Sequence, residues 1–306
     1  MRICSLLPSA TEIVCALGLE AALVGVTHEC DFPTSVRSLP RVTRSAVESD
    51  RLASGQIDAI VSAHLHEHRG LYQLDRELLE RLNPDLILTQ ELCDVCAVSY
   101  AEVQEAVRAL FGQRTVLSLE PTRLDEVFES IERVAAIAGR DAAALELTAG
   151  LREDVRQISG ALTGIARRPR VACIEWLDPP WLGGHWVPEM VELAGGLDVM
   201  GEAGSPSVRA SWEQIADAGP EVIVLMPCGF GVERIVSEFQ ELTLPSLWHD
   251  LPAVQTGRVY AVDANAFFSR PGPRLVEGLH LLAGLLHPDR VPLAADPRRW
   301  QTVSTA

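Results

Sequence analysis

DAAALELTAGLREDVRQISGALTGIARR, residues 141–168, is the stretch that decides the fold. No proline interrupts it, and Thr148, Leu151, Val155, Ile158, Leu162 and Ile165 recur at alternating steps of three and four. One side of a helix built from it is apolar apart from Thr148. The spacing predicts a single amphipathic helix of about 27 residues, roughly 40 Å long at about 1.5 Å per residue. Such a rod is long enough to run along two lobes instead of folding back within one. Arg167 and Arg168 suit the carboxyl end of its dipole, and Pro169 blocks continuation.

On both sides of this helix, short apolar runs alternate with helical spacing. Upstream, Ile3 to Leu7 reads as a strand, Ser9-Ala10-Thr11-Glu12 has the spacing of a capping box, and Gly18 closes the helix that follows. Leu23 to Val26 is a second strand. Asp75 to Leu82 is helical, Asn83-Pro84 stops it, and the runs from Leu86 to Leu88 and from Thr115 to Leu119 are further strands. Downstream, strands fall near Val171 to Ile174, Val222 to Leu225 and Val259 to Val262. Helices fall at Val187 to Ala194, closed by Gly195-Gly196, and at Pro273 to Leu286. The stretch beyond Pro288 has little periodicity and is expected to be a surface extension. Pro84-Asp85-Leu86-Ile87-Leu88 returns as Pro220-Glu221-Val222-Ile223-Val224, as two lobes of similar construction would require. The fold class expected is α/β: two Rossmann-like lobes with central, mainly parallel sheets, bridged by one long α-helix. The boundaries expected are an amino-terminal lobe at 1–122, a helical region at 123–168 and a carboxyl-terminal lobe at 169–306.

A chain of 306 residues with 47% hydrophobic content can bury a core in each lobe. Its formal net charge of −16 repels phosphate backbones and anionic membrane surfaces, so nucleic acid is not an expected partner. No run approaches the roughly 20 apolar residues of a membrane-spanning helix. Met1 to Leu7 does not read as a signal peptide, and seven scattered cysteines suit a reducing compartment, so the sequence as given reads as cytoplasmic.

Several motifs resemble one family along nearly the whole chain. They are Leu7-Pro8-Ser9-Ala10-Thr11-Glu12 with Leu17-Gly18, Val24-Gly25-Val26, Asn83-Pro84-Asp85-Leu86-Ile87, Asp178-Pro179-Pro180-Trp181 and Ser211-Trp212-Glu213-Gln214. The family is the helical-backbone (class III) substrate-binding proteins that deliver cobalamin, haem, siderophores or metal ions to ABC importers. With Thr89-Gln90-Glu91-Leu92-Cys93-Asp94-Val95-Cys96-Ala97, the chain looks most like the cobalamin-binding branch. The resemblance implies a ligand cleft between the lobes, a corrinoid ligand, an ABC permease as partner and a periplasmic or envelope location. It also implies that Glu213 docks on the transporter. Glu29, Gln90 and Ser207 stand where the best-known cobalamin binders carry aromatic residues, so a corrinoid must be held differently here.

Ligands of α/β sheets sit at the carboxyl ends of strands, which selects the candidate residues. Pro8, Ser9, Ala10 and Thr11 open a helix whose free N–H groups can meet an amide oxygen or carboxylate, or serve as an ordinary cap. His28 and Glu29, within Thr27-His28-Glu29-Cys30-Asp31, follow a strand. Gln90 and Cys93 follow another, and Cys93 with Cys96 has the spacing of a soft-metal chelate, a redox pair or two buried thiols. Trp181, His185 and Trp186, with Gly183-Gly184 between them, offer flat aromatic area for a macrocycle. Phe267, Phe268 and Arg270 follow the strand that ends at Val262, and Arg270 can pair with a ligand phosphate or propionate. His64, His66 and His68 alternate, so on an extended segment they share one side and one of them could replace the lower axial base of a corrinoid cobalt, or they lie by accident in a solvated loop.

Three functions remain open from the residues and the resemblance together, the ligand class being what the resemblance implies. The first is capture of a corrinoid of the cobalamin type, for import or as a cytosolic carrier, with no catalytic cofactor. The second is capture of haem or another metal chelate. The third is a thiol- or metal-dependent enzyme built on Cys93, Cys96 and the histidines. Against the enzyme, no nucleophile elbow, Walker loop or GxGxxG fingerprint is present.

Overall fold

A computed structural model describes residues 1–47, 49, 52–67, 70–90, 100–111 and 114–304. The apolar runs at the start of the chain become the strands of a parallel sheet, and the periodic stretches between them become helices. In chain order these are β1 (Ile3–Ser5), α1 (Pro8–Ala16), β2 (Leu23–Val26), β3 (Thr43–Ser45), α2 (Ser54–His66), β4 (Tyr72–Leu74), α3 (Arg76–Leu82), β5 (Leu86–Thr89), α4 (Tyr100–Phe111), β6 (Thr115–Ser118), α5 (Leu124–Ala138) and α6 (Asp141–Ala161). Strands β2-β1-β5-β6 form one sheet in that order with every pair parallel, while β3 and β4 form a separate antiparallel pair. Cys4, Leu6, Ile87, Leu79, Val103 and Val107 meet in one buried cluster.

The second half continues with β7 (Arg170–Leu177), β8 (Pro180–Leu182), α7 (Val187–Leu193), β9 (Leu197–Asp198), β10 (Val208–Arg209), α8 (Trp212–Asp217), β11 (Val222–Leu225), α9 (Val232–Gln240), α10 (Pro252–Gln255), β12 (Val259–Val262), α11 (Ala264–Phe267), α12 (Leu275–Leu286) and β13 (Trp300–Thr302). Their sheet runs β10-β8-β7-β11-β12-β13, with β9 also on β7. Its centre, β7-β11-β12, is parallel, and β8, β10 and β13 are antiparallel additions. The architecture is therefore two α/β lobes, each with its own sheet. By contacts, the first unit is Met1–Leu52, Gln56–Pro121 and Asp125–Gly150. The second is Leu151–Ala306 with the short pieces Ala53–Gly55 and Thr122–Leu124.

Helix α6 starts in the first unit and ends in the second, and its stripe is as expected. Thr148, Ile158 and Leu162 are buried, while Leu151, Val155 and Ile165 are half-buried. It is shorter than its spacing predicts: 21 residues, ending at Ala161 and not at Arg168. Gly160 and Gly164 explain the difference. The first weakens the last turn, and the second takes φ +76°, a left-handed conformation that a helix cannot continue through. The segment after Pro288 also differs from expectation. Its last strand, β13, pairs antiparallel with β12 and Val303 is 2% exposed, because the alternating Trp300, Gln301 and Thr302 complete an otherwise open sheet edge.

Candidate functional site

Helix α1 begins two residues earlier than a capping box at Ser9 requires. Leu7 is the cap residue and supplies no side-chain bond, while Pro8 takes the first helical position, where its fixed φ fits and its missing N–H is no loss. Ser9, Ala10 and Thr11 are buried and Pro8 half-buried. The Thr11 hydroxyl donates to Ser5 Oγ at 2.9 Å and lies 3.1 Å from Cys30 Sγ, so Thr11 ties the first turn to the sheet and to the next loop.

That next loop follows β2 and is held from two sides. Arg41 donates to the carbonyls of Thr27 (2.7 Å) and Cys30 (2.8 Å). Thr43 Oγ1 sits 2.8 Å from His28 Nδ1 and accepts the His28 backbone N–H at 3.3 Å. With Nδ1 engaged, the other ring nitrogen, Nε2, lies 3.3 Å from Glu29 Oε1, and the imidazole rests against Tyr72 at 5.5 Å between ring centres. Glu29 is exposed. Gln90, at the end of β5, is 8% exposed.

The histidine segment is helical where an extended one was expected. His64 and His66 lie in the last turn of α2, and His64 Nδ1 is 2.9 Å from the Ile60 carbonyl, one turn back. At about 3.6 residues per turn, positions two apart point to nearly opposite sides, so these two do not share a face. Apolar Ile57, Ile60 and Val61 in the preceding turns carry the helix forward into them. His68, Cys93 and Cys96 lie outside the described residues. Among the described residues, no cluster of three histidine, cysteine or acidic side chains is placed to hold a metal ion. Burial holds the Cys4 and Cys15 thiols up at about 12 and pushes Cys173 upward as well, so these sulfurs stay protonated and unreactive.

In the second unit the candidate aromatics fall into two groups. Trp176 and Trp181 pair across the β7–β8 hairpin, both half-buried. The Trp176 indole donates to the Ser54 carbonyl at 3.3 Å and its ring lies 5.2 Å from Phe230. Trp186 and Phe268 are packed inside: Trp186 is 7% exposed and its indole N–H donates to the Phe268 carbonyl at 2.8 Å. Phe267 is likewise buried, with the Arg299 guanidinium 4.4 Å above its ring. These three serve the core of the unit, while Arg270 is half-buried beyond them.

His185 packs beside Trp186, with ring centres 5.7 Å apart. It takes φ +53°, uncommon for a residue with a Cβ, and the conformation is secured by its N–H donating to Ser205 O (2.7 Å) and by Gly204 N–H donating to its own carbonyl (2.8 Å). Burial lowers the pKa of its ring, which favours neutral imidazole. Glu213 is exposed on the first turn of α8. The capping box there is Ser211 with Gln214, and hydrogen bonds from its own backbone and from Ser211 hold the Glu213 pKa down.

Sequence reasoning missed Glu175. It lies just past the apolar run Val171 to Ile174, and the register between β7 and β8 shifts between Ile174 and Trp176, so Glu175 occupies the irregular position of the hairpin. Ser207 and the Gly184 backbone lie beside its half-buried carboxylate and favour the charged form, yet burial outweighs them and pushes its pKa up to about 7. One acid inside the run Val-Ala-Cys-Ile-Glu-Trp-Leu was the signal available.

Known proteins align with this chain over nearly its whole length. An uncharacterized ABC transporter substrate-binding lipoprotein of Bacillus subtilis is 26% identical over 94% of this chain and 80% of its own. A cobalamin-binding protein of Halobacterium salinarum is 26% identical over 94% and 69%. Among solved structures, a periplasmic heme binding protein of Pseudomonas aeruginosa superposes with a TM-score of 0.74 at 20% identity, covering 100% of this chain and 99% of that one. The periplasmic vitamin B12 binding protein of Vibrio cholerae gives 0.69 at 22% identity, covering 94% and 96%. These two likenesses show a shared fold. The sequence profile described as "Periplasmic binding protein" matches residues 3–266, and this chain belongs to that family.

Proposed function

We propose that this protein is a binding protein and not an enzyme, that its ligand is a corrinoid of the cobalamin type, and that it hands the ligand to an ABC importer at the cell envelope. The observation that carries the ligand class is the name borne by relatives that match nearly the whole chain: cobalamin-binding in Halobacterium salinarum and vitamin B12-binding in Vibrio cholerae. The Bacillus subtilis relative, an ABC transporter lipoprotein, supports the partner and the location. In this assignment Trp181, His185 and the half-buried Trp176 meet the flat face of the ligand, since aromatic faces bury large apolar area at little entropic cost. Pro8 to Thr11, His28, Glu29, Gln90, Cys93 and Arg270 address its polar rim. Trp186, Phe267 and Phe268 support that surface from beneath. Glu213, exposed on α8, is the docking residue. One of His64, His66 and His68 is the candidate axial ligand to cobalt.

Haem is the second ligand class, favoured by the 0.74 superposition on a heme binding protein. Titration of the purified protein with cyanocobalamin, hydroxocobalamin and hemin, followed by calorimetry and visible spectra, decides between them. Saturable binding of the cobalamins at one per chain, tighter than hemin, is expected. Hemin binding with no response to either cobalamin would overturn the ligand class. A hydroxocobalamin spectrum that shifts equally when His64, His66 and His68 are all replaced by alanine would remove the axial role alone.

A further inference from the structure

Resting on that assignment, we propose that Glu175 sets ligand selectivity: its carboxylate accepts N–H groups of peripheral amides on the ligand and turns away ligands that present carboxylates at the same place. Corrinoids carry amides around the ring, whereas haem carries propionates, so one side chain can separate the two classes.

The position of Glu175 is built for contact. It stands in the carboxyl-terminal half of β7, the end at which α/β sheets meet ligands, and it occupies the register irregularity of the β7–β8 hairpin. Bulges of this kind re-aim a side chain beside a functional site. The neighbouring cross-strand pair is Trp176 with Trp181, the flat surface assigned to the macrocycle.

The seat under the carboxylate is equally specific. A Cβ on Gly184 would overlap the Ser207 backbone nitrogen and lie 2.6 Å from the Pro206 carbonyl carbon, so only glycine lets these two loops approach closely enough to flank Glu175 together. The left-handed His185 and its bonds to Ser205 and Gly204 pin the same loops together.

The bonding capacity of the group completes the case. A carboxylate offers about four acceptor sites, and Ser207 and Gly184 are the protein groups that address this one. No cation pairs with Glu175 among the described residues. Acceptor capacity therefore remains for donors from outside the protein. Where Glu175 is ionised, a second carboxylate brought against it meets like charge, and an amide N–H does not.

The test compares cyanocobalamin, its peripheral monocarboxylic acids and hemin by calorimetry on the full chain and on Glu175→Gln. A hydrogen bond to a charged group corresponds to about tenfold to a hundredfold in affinity. The intact protein is expected to bind at least one monocarboxylic acid tenfold or more weaker than cyanocobalamin. Glu175→Gln is expected to erase that ratio and to improve hemin relative to cyanocobalamin by a similar factor. Equal affinity of the intact protein for cyanocobalamin and every monocarboxylic acid would overturn the role of Glu175 while leaving the functional assignment standing, and this arm needs no variant. A ratio that persists unchanged in folded Glu175→Gln would overturn it too. Failure of the intact protein to bind any corrinoid would remove the assignment and this inference together.

Discussion

The two units open with the same clasp. In the first, the Arg2 N–H donates to Asp85 Oδ2 (2.8 Å) and the Asp85 N–H returns to the Arg2 carbonyl (2.8 Å). In the second, the Arg170 N–H donates to Glu221 Oε2 (3.0 Å) and the Glu221 N–H returns to the Arg170 carbonyl (2.8 Å). Even the guanidinium groups agree: Arg2 Nε donates to Leu82 O and Arg170 Nε to Gly219 O, each near the end of the helix before the clasped strand. The echo between Pro84–Leu88 and Pro220–Val224 is thus a repeated piece of carpentry that aligns the first strand of each sheet with its central partner. The units part company immediately afterwards. β1 stops after three residues and the chain enters α1, whereas β7 runs for eight and turns back as β8. The hairpin brings Trp176, Trp181 and Glu175, so the aromatic and acidic chemistry of the second unit comes from an elaboration that the first unit lacks.

The sharpest way to break this comparison is Gly184→Ala. The new methyl group meets backbone atoms of Ser205, Pro206 and Ser207, which cannot yield as a side-chain tip can. A loss of about 3 kcal/mol in urea unfolding is expected, together with weakened ligand binding. Wild-type stability in this variant would mean that the two loops are not held together as described.

Much of this architecture was legible in the sequence, because buried parallel strands demand continuous apolar runs and α6 demands a stripe. Val171–Ile174, Val222–Leu225 and Val259–Val262 are strands for that reason. What stayed hidden depended on competition between local signals. Ser9 and Glu12 have capping-box spacing, but Pro8 starts the helix first. The histidines alternate like a strand, but the apolar turns before them propagate α2. Sequence alone does not separate ligand aromatics from core aromatics, and packing shows that Trp186, Phe267 and Phe268 are buried. Glu175 was passed over because its importance lies in a register shift, which is a relation between two strands and leaves no mark on either alone.

The clasps themselves provide the next comparison. Glu221 is half-buried and also bonds the Arg167 guanidinium, whereas Asp85 is exposed. Glu221→Ala is expected to lower stability by about 2 kcal/mol, as loss of a charged acceptor to a strand N–H does, and Asp85→Ala by about 0.5–1 kcal/mol. Both are measured by chemical denaturation. Equal losses would show that burial does not separate the two clasps.

A subtler contrast is in pH. The Glu175 carboxyl is raised to about 7 in the folded chain from an ordinary value of 4.5, so the folded state holds its proton over a range where the unfolded chain releases it. The group therefore lowers stability progressively as pH rises from about 4.5 through 7 and adds no further change above that. Glu175→Gln should remove this slope. Relative to the intact protein it should gain on the order of 1–2 kcal/mol between pH 5 and pH 8, a figure reduced from the full shift because the group is partly open to water. The Cys173 thiol beneath it stays protonated throughout and does not compensate. Parallel pH profiles for the two proteins would place the titration elsewhere.

The smallest expected effect runs in the opposite direction. Gly150 lies at the middle of α6, the last residue of the first unit, and a Cβ there would meet nothing within 4 Å. It lacks the close backbone neighbours that justify Gly184, and its φ is not left-handed either, so it weakens the helix without a packing return. Gly150→Ala should add up to about 1 kcal/mol through helix propensity and raise Tm by roughly 2 °C. Set against Gly184→Ala, the same substitution would then have opposite signs at two glycines, decided by what surrounds each backbone. A loss of stability at Gly150 would mean that something approaches α6 at that point and that its glycine, like the one after β8, is there to make room.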